Sequence, residues 1–234
     1  MSLFADSISA AGSLLLAGDS TLVDITALSL RVSATATGIA ALIGLPLGAW
    51  AALTTSRWRT PMVVALNASM GLPPVVVGLI AYLLLSRSGP MGSLGWLFTP
   101  AGMVMAQTIL ITPIIAALAR QTIEDAHVPL SDWFASLGLS ARQRILTLLF
   151  ETRFSLAVVL LAGFGRAIAE VGAVMMVGGN IAGSTRVMTT TIALETSKGD
   201  LPLALALGVL LVSLVLIVNG AAQTLKGWME RRHG

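Results

Sequence analysis

Long apolar runs constrain this sequence more than any other feature. A helix needs about 20 apolar residues to cross the hydrocarbon core of a bilayer. Five runs approach or exceed that length, at approximately residues 25–53, 61–85, 101–119, 154–178 and 202–224. Only 11% of the 234 residues are charged, against about 25% in soluble domains. Because the runs are continuous rather than alternating, we expect helices and not a closed barrel, in an all-α polytopic membrane protein.

The first 20 residues contain an apolar segment, residues 8–17, that is too short to span a bilayer. We expect it to lie at the interface or against the first span. The segment lacks a preceding basic region and a clear cleavage site, so a removable signal peptide is not expected. The chain has no cysteine, which excludes disulfides and cysteine metal sites. His127 and His233 are the two histidines, and both lie outside the spans, so no metal site is expected.

The Lys and Arg residues of the connections predict the orientation, because cytoplasmic loops are enriched in them. An external N-terminus places nine on the inner side: Arg57, Arg59, Arg120, Arg142, Arg144, Arg153, Lys226, Arg231 and Arg232. It leaves three outside: Arg87, Arg186 and Lys198. Five spans then put the C-terminus in the cytoplasm, and the protein is expected in the cell membrane.

The longest inner connection, about residues 121–153, has apolar residues at helical spacing. We predict two short helices that meet at Gly138, the first capped by Ser131. The connection at about residues 179–201 is external, polar and rich in glycine and hydroxyl groups. No internal repeat is visible, and residues 1–234 are expected to form a single domain.

Enzyme signatures are scarce. The chain has neither a G-x-x-x-x-G-K-[ST] phosphate loop nor a G-x-S-x-G nucleophile motif. We therefore expect no catalytic residue and no ATP hydrolysis by this chain alone. The net charge of +3 rests on few charged residues and indicates orientation in the membrane rather than nucleic-acid binding.

A proline pair interrupts the second apolar run in "GLPPVVVG". Pro73 and Pro74 should break the helix, since proline frees backbone carbonyls and bends helices. Broken helices beside a cavity are a common way to build a substrate route. A plain packing kink is the equally weighted alternative.

The inner connection resembles the "EAA" coupling loop of type I ATP-binding-cassette (ABC) importer permeases. Residues 132–134 stand where Glu-Ala-Ala would, and Gly138 matches the glycine of that pattern. Leu148 and Phe150 take the places of the later isoleucine and proline, so the details of the coupling contact depart from the pattern.

Three further blocks resemble molybdate and tungstate permeases, in register from about residue 24 to the C-terminus. They are "SLRVSATATGIAALIGLPLGAW", "GLPPVVVGLIAYLLLSRSGPMGSLG" and "FGRAIAEVGAVMMVGGNIAGSTRVMTTTIALETSKGD". The ending "TRVMTTTIALETSKGD" is closer to the tungstate branch. The resemblance implies a five-helix type I importer core and a permease subunit for tungstate or molybdate.

The same resemblance implies the partners. Two permease copies form the pathway, two cytoplasmic ATPase subunits carry the ATP and Mg, and an external protein delivers the oxyanion. This chain itself is expected to bind no cofactor. Two other functions remain open, the permease of a sulfate-type oxyanion importer and an ion-gradient-driven secondary transporter. A structural membrane subunit without transport is a further alternative.

The coupling residues follow from the resemblance and from interface chemistry, since aromatic anchors often dominate binding energy. Trp133, Phe134 and Leu137 would form an apolar anchor for the ATPase, with Asp132 and Arg142 setting its orientation and Gly138 forming the break between the helices. The alternative is a cytoplasmic helix that lies on the membrane.

Two charges in the fourth run, Arg166 and Glu170, stand four residues apart. Acid before base is the favourable order for a pair on one helix, and here the order is reversed. We therefore expect Glu170 to contact Arg31 of the first span, with Arg166 completing the network. The charges either fix helix packing or supply positive potential where an oxyanion crosses.

The external connection offers hydrogen-bond donors for an oxyanion. The candidates are the Asn180 amide, the hydroxyls of Thr189, Thr190 and Thr191, and the guanidinium of Arg186. The alternatives are ordinary packing for the threonines and, for Arg186, a contact to the external protein or to a lipid phosphate.

Overall fold

The structure is a computed structural model that describes the backbone of residues 2–233 and the side chains of residues 7–224 and 227. Within residues 2–233 it contains helices and no strand. The helices are α1 Ser2–Ala17, α2 Ser20–Leu53, α3 Arg59–Met70, α4 Pro74–Leu85, α5 Pro100–Ser136, α6 Ala141–Glu151, α7 Arg153–Ile168, α8 Gly172–Gly178, α9 Met188–Lys198 and α10 Leu201–His233, with a 3₁₀ turn at Gly92–Leu94.

Three helices are long and apolar enough to cross a membrane: α2, α5 and the Leu201–Thr224 part of α10. Two helix pairs, α3 with α4 and α6 with α7, pass the same test when each is counted as one broken span. The total then reaches five, which agrees with the predicted polytopic all-α architecture. The apolar part of α1, Ser7–Ala17, is shorter than a span.

Two spans differ from the prediction. Helix α5 continues for 37 residues to Ser136, so the first short helix expected in the inner connection is instead the end of this span. Ser131 lies inside the helix and does not cap it. Pro129 is accommodated within α5, although the sequence pattern suggested a new helix there. The run 154–178 is also discontinuous, because α7 ends at Ile168 and α8 begins at Gly172.

The proline pair breaks the second run as predicted. Helix α3 ends at Met70, and Pro74 is the first residue of α4. Pro73 has the extended backbone of an N-cap residue, with φ −63° and ψ 123°. Pro74 fits the first helical position because the N–H that proline lacks would have no helical partner there.

The described chain divides into two compact units. Unit 1 comprises Met1–Ala36, Pro73–Gln107 and Gly165–Ile217, and unit 2 comprises Thr37–Leu72, Thr108–Phe164 and Val218–Gly234. The single domain expected over residues 1–234 stays a prediction, as does the orientation. The side chains of Lys226, Arg231 and Arg232, which contribute to that orientation, lie outside the described residues.

Small residues bring the helices of unit 1 close together. A Cβ added at Gly78 of α4 would lie 2.7 Å from the Cα of Ala173 in α8. Ala81, Leu85 and Val177 belong to the same buried cluster. Since lipid removes most of the hydrophobic drive between helices, close van der Waals packing of this kind stabilises the contact. Gly165, Ala169 and Ala173 have the spacing of small residues that allows close helix contacts, but they do not share one helix, because α7 ends at Ile168.

Unit 2 has a core where α2, α5 and α6 meet. Ala49, Ile123, Phe134 and Leu148 are all buried in one cluster. A Cβ added at Gly48 would lie 2.5 Å from the carbonyl oxygen of Ala116, so the approach of α2 to α5 requires glycine at this position.

Candidate functional site

A break between α7 and α8 carries the two charges that the sequence places in the fourth apolar run. Residues 169–171 separate α7 from α8. Arg166 lies in the last turn of α7, and its Nη1 is 2.8 Å from Oε2 of Glu170. The other oxygen, Oε1, accepts a hydrogen bond of 3.2 Å from the N–H of Ala173 in the first turn of α8. The acid therefore binds both the end of one helix and the beginning of the next.

The break also explains the order of the charges. The C-terminal end of a helix carries partial negative charge, and the N-terminal end carries partial positive charge. Arg166 at the C-terminal end of α7 and Glu170 before α8 both stand at the favourable end. The rule that disfavours base before acid concerns one continuous helix and does not apply across this break.

The expected contact between Arg31 and Glu170 is therefore wrong. Both side chains are described, and the carboxylate of Glu170 pairs with Arg166 instead. Arg31 is exposed on α2. A contact with Arg31 is expected only if one continuous helix runs through residues 166–170, and α7 ends at Ile168.

Side chains from other helices satisfy the carbonyls that the break frees. Nε2 of Gln107 in α5 donates a hydrogen bond of 3.0 Å to the carbonyl oxygen of Ala167. Oγ1 of Thr189 in α9 donates one of 2.7 Å to the carbonyl oxygen of Glu170. Gln107, Glu170 and Thr189, together with Ser29, line a polar cavity of about 10 Å³. Buried carbonyls without partners are costly, so these two side chains make the break a stable element of the fold.

The connection that follows α8, predicted to be external and here called the outer connection (residues 179–187), begins with two residues in the left-handed conformation. Gly179 has φ +70° and Asn180 has φ +51°. The Asn180 amide donates to the carbonyl oxygen of Thr190 at 3.3 Å, and the Thr190 hydroxyl lies 2.8 Å from Oδ1 of Asn180. These two hydrogen bonds fasten the outer connection to the start of α9.

The predicted threonine donors are brought together at the start of α9, but their hydroxyls are engaged within the protein. Thr189 donates to the break, and Thr191 donates to the carbonyl oxygen of Val187 at 2.7 Å. Thr190 and Thr191 are fully buried. In this conformation the three hydroxyls have structural roles, and a direct contact with an ion would require these hydrogen bonds to open.

The end of α5 and helix α6 form a helical hairpin within unit 2. Gly138 has φ +62°, and its N–H donates to the carbonyl oxygen of Ala135 while the N–H of Leu139 donates to that of Phe134. This is the Schellman pattern, which glycine favours because a Cβ is strained at positive φ. Ser140 then caps α6 in a reciprocal capping box with Gln143.

The hairpin exposes part of the predicted coupling set. Trp133, in the last turn of α5, is 70% exposed, and Leu137, the residue that follows α5, is 64% exposed. Asp132, Gly138 and Arg142 are also exposed. Five of the six predicted coupling residues are therefore available on the surface of this unit.

Phe134 is the exception, and its predicted role as part of the anchor is wrong. It is only 5% exposed, and its ring stacks on His127 at a centroid distance of 5.9 Å. Consecutive residues on a helix point about 100° apart, so Trp133 and Phe134 cannot share a face. Phe134 holds the hairpin onto the core, and Trp133 remains exposed.

An acid in α5 that the sequence analysis did not select also joins elements of unit 2. Glu124 forms ion pairs with Arg59 at the start of α3 and with Arg120 one turn earlier in α5. The spacing of Arg120 and Glu124 could have indicated the second pair. The pair with Arg59, 65 residues away, has no local signal, and the same is true of Gln107 at the break.

Comparison with known proteins identifies the family. Residues 44–232 match the model of the binding-protein-dependent transport system inner membrane component. The chain is 38% identical over 226 residues, 97% of its length and 99% of the relative, to the tungstate uptake system permease protein TupB of Peptoclostridium acidaminophilum.

Two other relatives extend the comparison. The chain is 38% identical over 218 residues, 91% of its length and 94% of the relative, to a probable anion ABC transporter permease protein of Haloferax volcanii. It is 28% identical over 184 residues, 70% of its length and 76% of the relative, to the molybdenum transport system permease protein ModB of Azotobacter vinelandii. The chain therefore belongs to the family of binding-protein-dependent transport system inner membrane components.

Proposed function

We propose that this chain is the membrane-spanning permease subunit of an ATP-driven importer for tungstate. The observation that carries the proposal is the similarity to a tungstate permease over 97% of the chain. It includes the charged break, the outer connection and the helical hairpin. The lower identity and coverage of the molybdenum permease make molybdate the second candidate.

The proposed assembly contains two copies of this chain, two ATPase subunits on the cytoplasmic side and an external oxyanion-binding protein. ATP and Mg belong to the ATPase subunits, and this chain acts as a transport component. The helical hairpin supports this assembly because Trp133 and Leu137 project from a scaffold that Phe134 and the Gly138 turn hold in place. Exposed aromatic residues on a rigid support suit a hot spot at an interface.

Arg166 is the proposed source of positive potential along the path by which the oxyanion crosses the membrane. Its side chain is 39% exposed although it lies in a membrane-spanning segment. A charged side chain in a span almost always faces a water-filled cavity or a protein partner rather than lipid. The engaged hydroxyls near α9 leave this guanidinium as the strongest candidate for a long-range attraction on an oxyanion.

The central experiment is uptake into proteoliposomes that contain this chain, its ATPase and its binding protein. We expect tungstate uptake that requires ATP. Uptake that proceeds without the ATPase and stops with an ionophore would identify a secondary transporter instead. Preferential uptake of sulfate would identify a sulfate-type importer, and absence of any oxyanion uptake would refute the transport function.

The hairpin is tested by copurification of the ATPase. Trp133→Asp should abolish copurification and uptake because it places a charge at the apolar anchor. Ser136→Asp is the matched control, since it adds the same charge to an exposed position on the same helix. Normal coupling in the Trp133 variant would contradict the assignment of this surface.

The role of Arg166 is tested by exchanging the charges. The double variant Arg166→Glu with Glu170→Arg keeps an ion pair but moves the positive charge into the buried position. We expect it to lose uptake. If it folds and transports tungstate normally, Arg166 does not act on the ion.

A further inference from the structure

A polar cleft lies between the beginning of α2 and the outer connection. Its volume is about 430 Å³, and its polar lining comes from Thr21 and Asp24 of α2 and from Ser184 and Arg186 of the connection. A water molecule takes about 30 Å³ in the liquid. The cleft therefore has room for a small tetrahedral ion together with several water molecules.

Arg186 is the only cation in the lining of this cleft, and its buried Nε is without a hydrogen-bond partner among the described residues. Its nearest acid is Glu195 of α9, with 4.0 Å between Nη1 and Oε1, which is beyond hydrogen-bond distance. The same carboxylate lies closer to Lys198, at 3.0 Å. A guanidinium has five N–H donors, and here Glu195 holds it in position without occupying them.

We propose that this cleft is an outer binding site for a tetrahedral oxyanion, with Arg186 as its cation and the hydroxyls of Thr21 and Ser184 as neutral donors. The proposal rests on the proposed function, since it assigns the place where the permease first holds its substrate. A planar guanidinium suits an oxyanion because two of its N–H groups can bind two oxygens at once.

Asp24 determines how tightly the cleft binds. Its carboxylate is the one acid in the lining, and it forms no ion pair with Arg186 among the described residues. It would repel a dianion and so weaken the site. Weak binding suits a transport route, since an ion must leave each site as readily as it enters. The two side chains should therefore have opposite effects on affinity.

The test is equilibrium dialysis of sodium tungstate against the full chain in lipid nanodiscs, without the external binding protein and at low ionic strength. Arg186→Gln should weaken binding by about tenfold or more, the factor expected for a charge-assisted hydrogen bond. Asp24→Asn should strengthen binding. Lys198→Gln is the matched control, because this lysine shares Glu195 but does not line the cleft, and its effect should stay within about twofold.

Several outcomes would overturn the proposal. Equal weakening by the Arg186 and Asp24 variants would mean that the two side chains stabilise the outer connection together. Unchanged tungstate binding by Arg186→Gln, with reduced affinity for the external binding protein, would make Arg186 a docking residue. If the Gln variant fails to fold, Arg186→Lys replaces it, because lysine keeps the charge without the planar fork. This variant should bind tungstate more weakly than the unaltered chain, and unchanged binding would contradict the role of the guanidinium.

The proposal and the proposed function can fail separately. ATP-dependent tungstate uptake by the unaltered chain, combined with no tungstate binding at the cleft, would reject the cleft and retain the importer. Absence of uptake in the complete system would reject the importer, whatever the nanodiscs bind.

Discussion

The two charges at the helix break should respond very differently to neutralisation. Glu170 is 2% exposed and Arg166 is 39% exposed. Arg166→Gln removes the charged partner of a buried carboxylate, which keeps the hydrogen bond from the N–H of Ala173, whereas Glu170→Gln leaves a guanidinium that water can reach. The glutamine of the second variant can still accept the hydrogen bond from Ala173. We therefore expect the arginine variant to be the less stable of the two.

The expected changes in the free energy of unfolding follow from the burial of the two side chains. Removing one partner of a fully buried ion pair costs about 3–5 kcal/mol, and the exposure of Arg166 reduces this to about 2–4 kcal/mol. Glu170→Gln loses one charged hydrogen bond to a partly exposed group, which costs about 0.5–1.5 kcal/mol. The double variant, Arg166→Gln with Glu170→Gln, removes the unpaired carboxylate. It should recover about 2 kcal/mol relative to the arginine variant alone.

The assay is reversible unfolding of the purified chain in a defined detergent micelle, followed by tryptophan fluorescence for all three variants. Arg31→Gln is the control, because Arg31 is exposed and does not pair with Glu170, and its effect should stay below about 0.5 kcal/mol. If Glu170→Gln is as destabilising as Arg166→Gln, or the double variant shows no recovery, the burial argument is wrong.

The remaining predictions concern packing and can be measured by the same unfolding assay. Gly78→Ala should destabilise the chain by about 1–3 kcal/mol, because the new Cβ meets backbone in α8. Gly208→Ala is the control and should be neutral, because a Cβ at Gly208 would have no neighbour within 4 Å. Equal effects of the two substitutions would contradict the close approach of α4 to α8. Phe134→Ala should cost about 3–5 kcal/mol, and Trp133→Ala, at an exposed position, less than about 1 kcal/mol; the reverse order would refute their assigned faces. Thr189→Val should cost about 1–3 kcal/mol, since it leaves a carbonyl at the break without its donor; no loss would show that the hydrogen bond is dispensable.

The sequence predicts the membrane spans well because run length is a strong physical constraint in lipid. It misses the discontinuity at residues 169–171, since apolar residues continue on both sides. The local signal was present in the order of the charges. Base before acid is the weaker order within a helix, but it is the favourable order across a break, where Arg166 lies in the last turn of α7 and Glu170 precedes α8. From the sequence alone this order predicts a partner on another helix, whereas a helix end explains it.

The partners at the break could not be predicted from local patterns. Gln107 is 60 residues from the carbonyl it binds, and Thr189 is 19 residues from its own. Many partners are possible for a lone glutamine in an apolar helix. The same is true of a row of threonines after a glycine-rich turn. Only the packing of α5 and α9 against the break determines which carbonyls they reach. For the same reason the sequence predicts that the threonines bind an ion, while in the structure their hydroxyls bind groups of the protein.

Helix packing at the break explains the presence of Glu170 more fully than the presence of Arg166. Glu170 is almost completely buried and binds groups in both helices, so packing alone explains its presence. A neutral pair at positions 166 and 170 could have closed the break without bringing any charge into this segment. Arg166 instead keeps more than a third of its side chain exposed, where contact with lipid would be costly. If packing were its whole purpose, a substitution that restores stability should also restore transport. The double neutral variant separates these roles, and we expect it to be stable and to transport tungstate poorly.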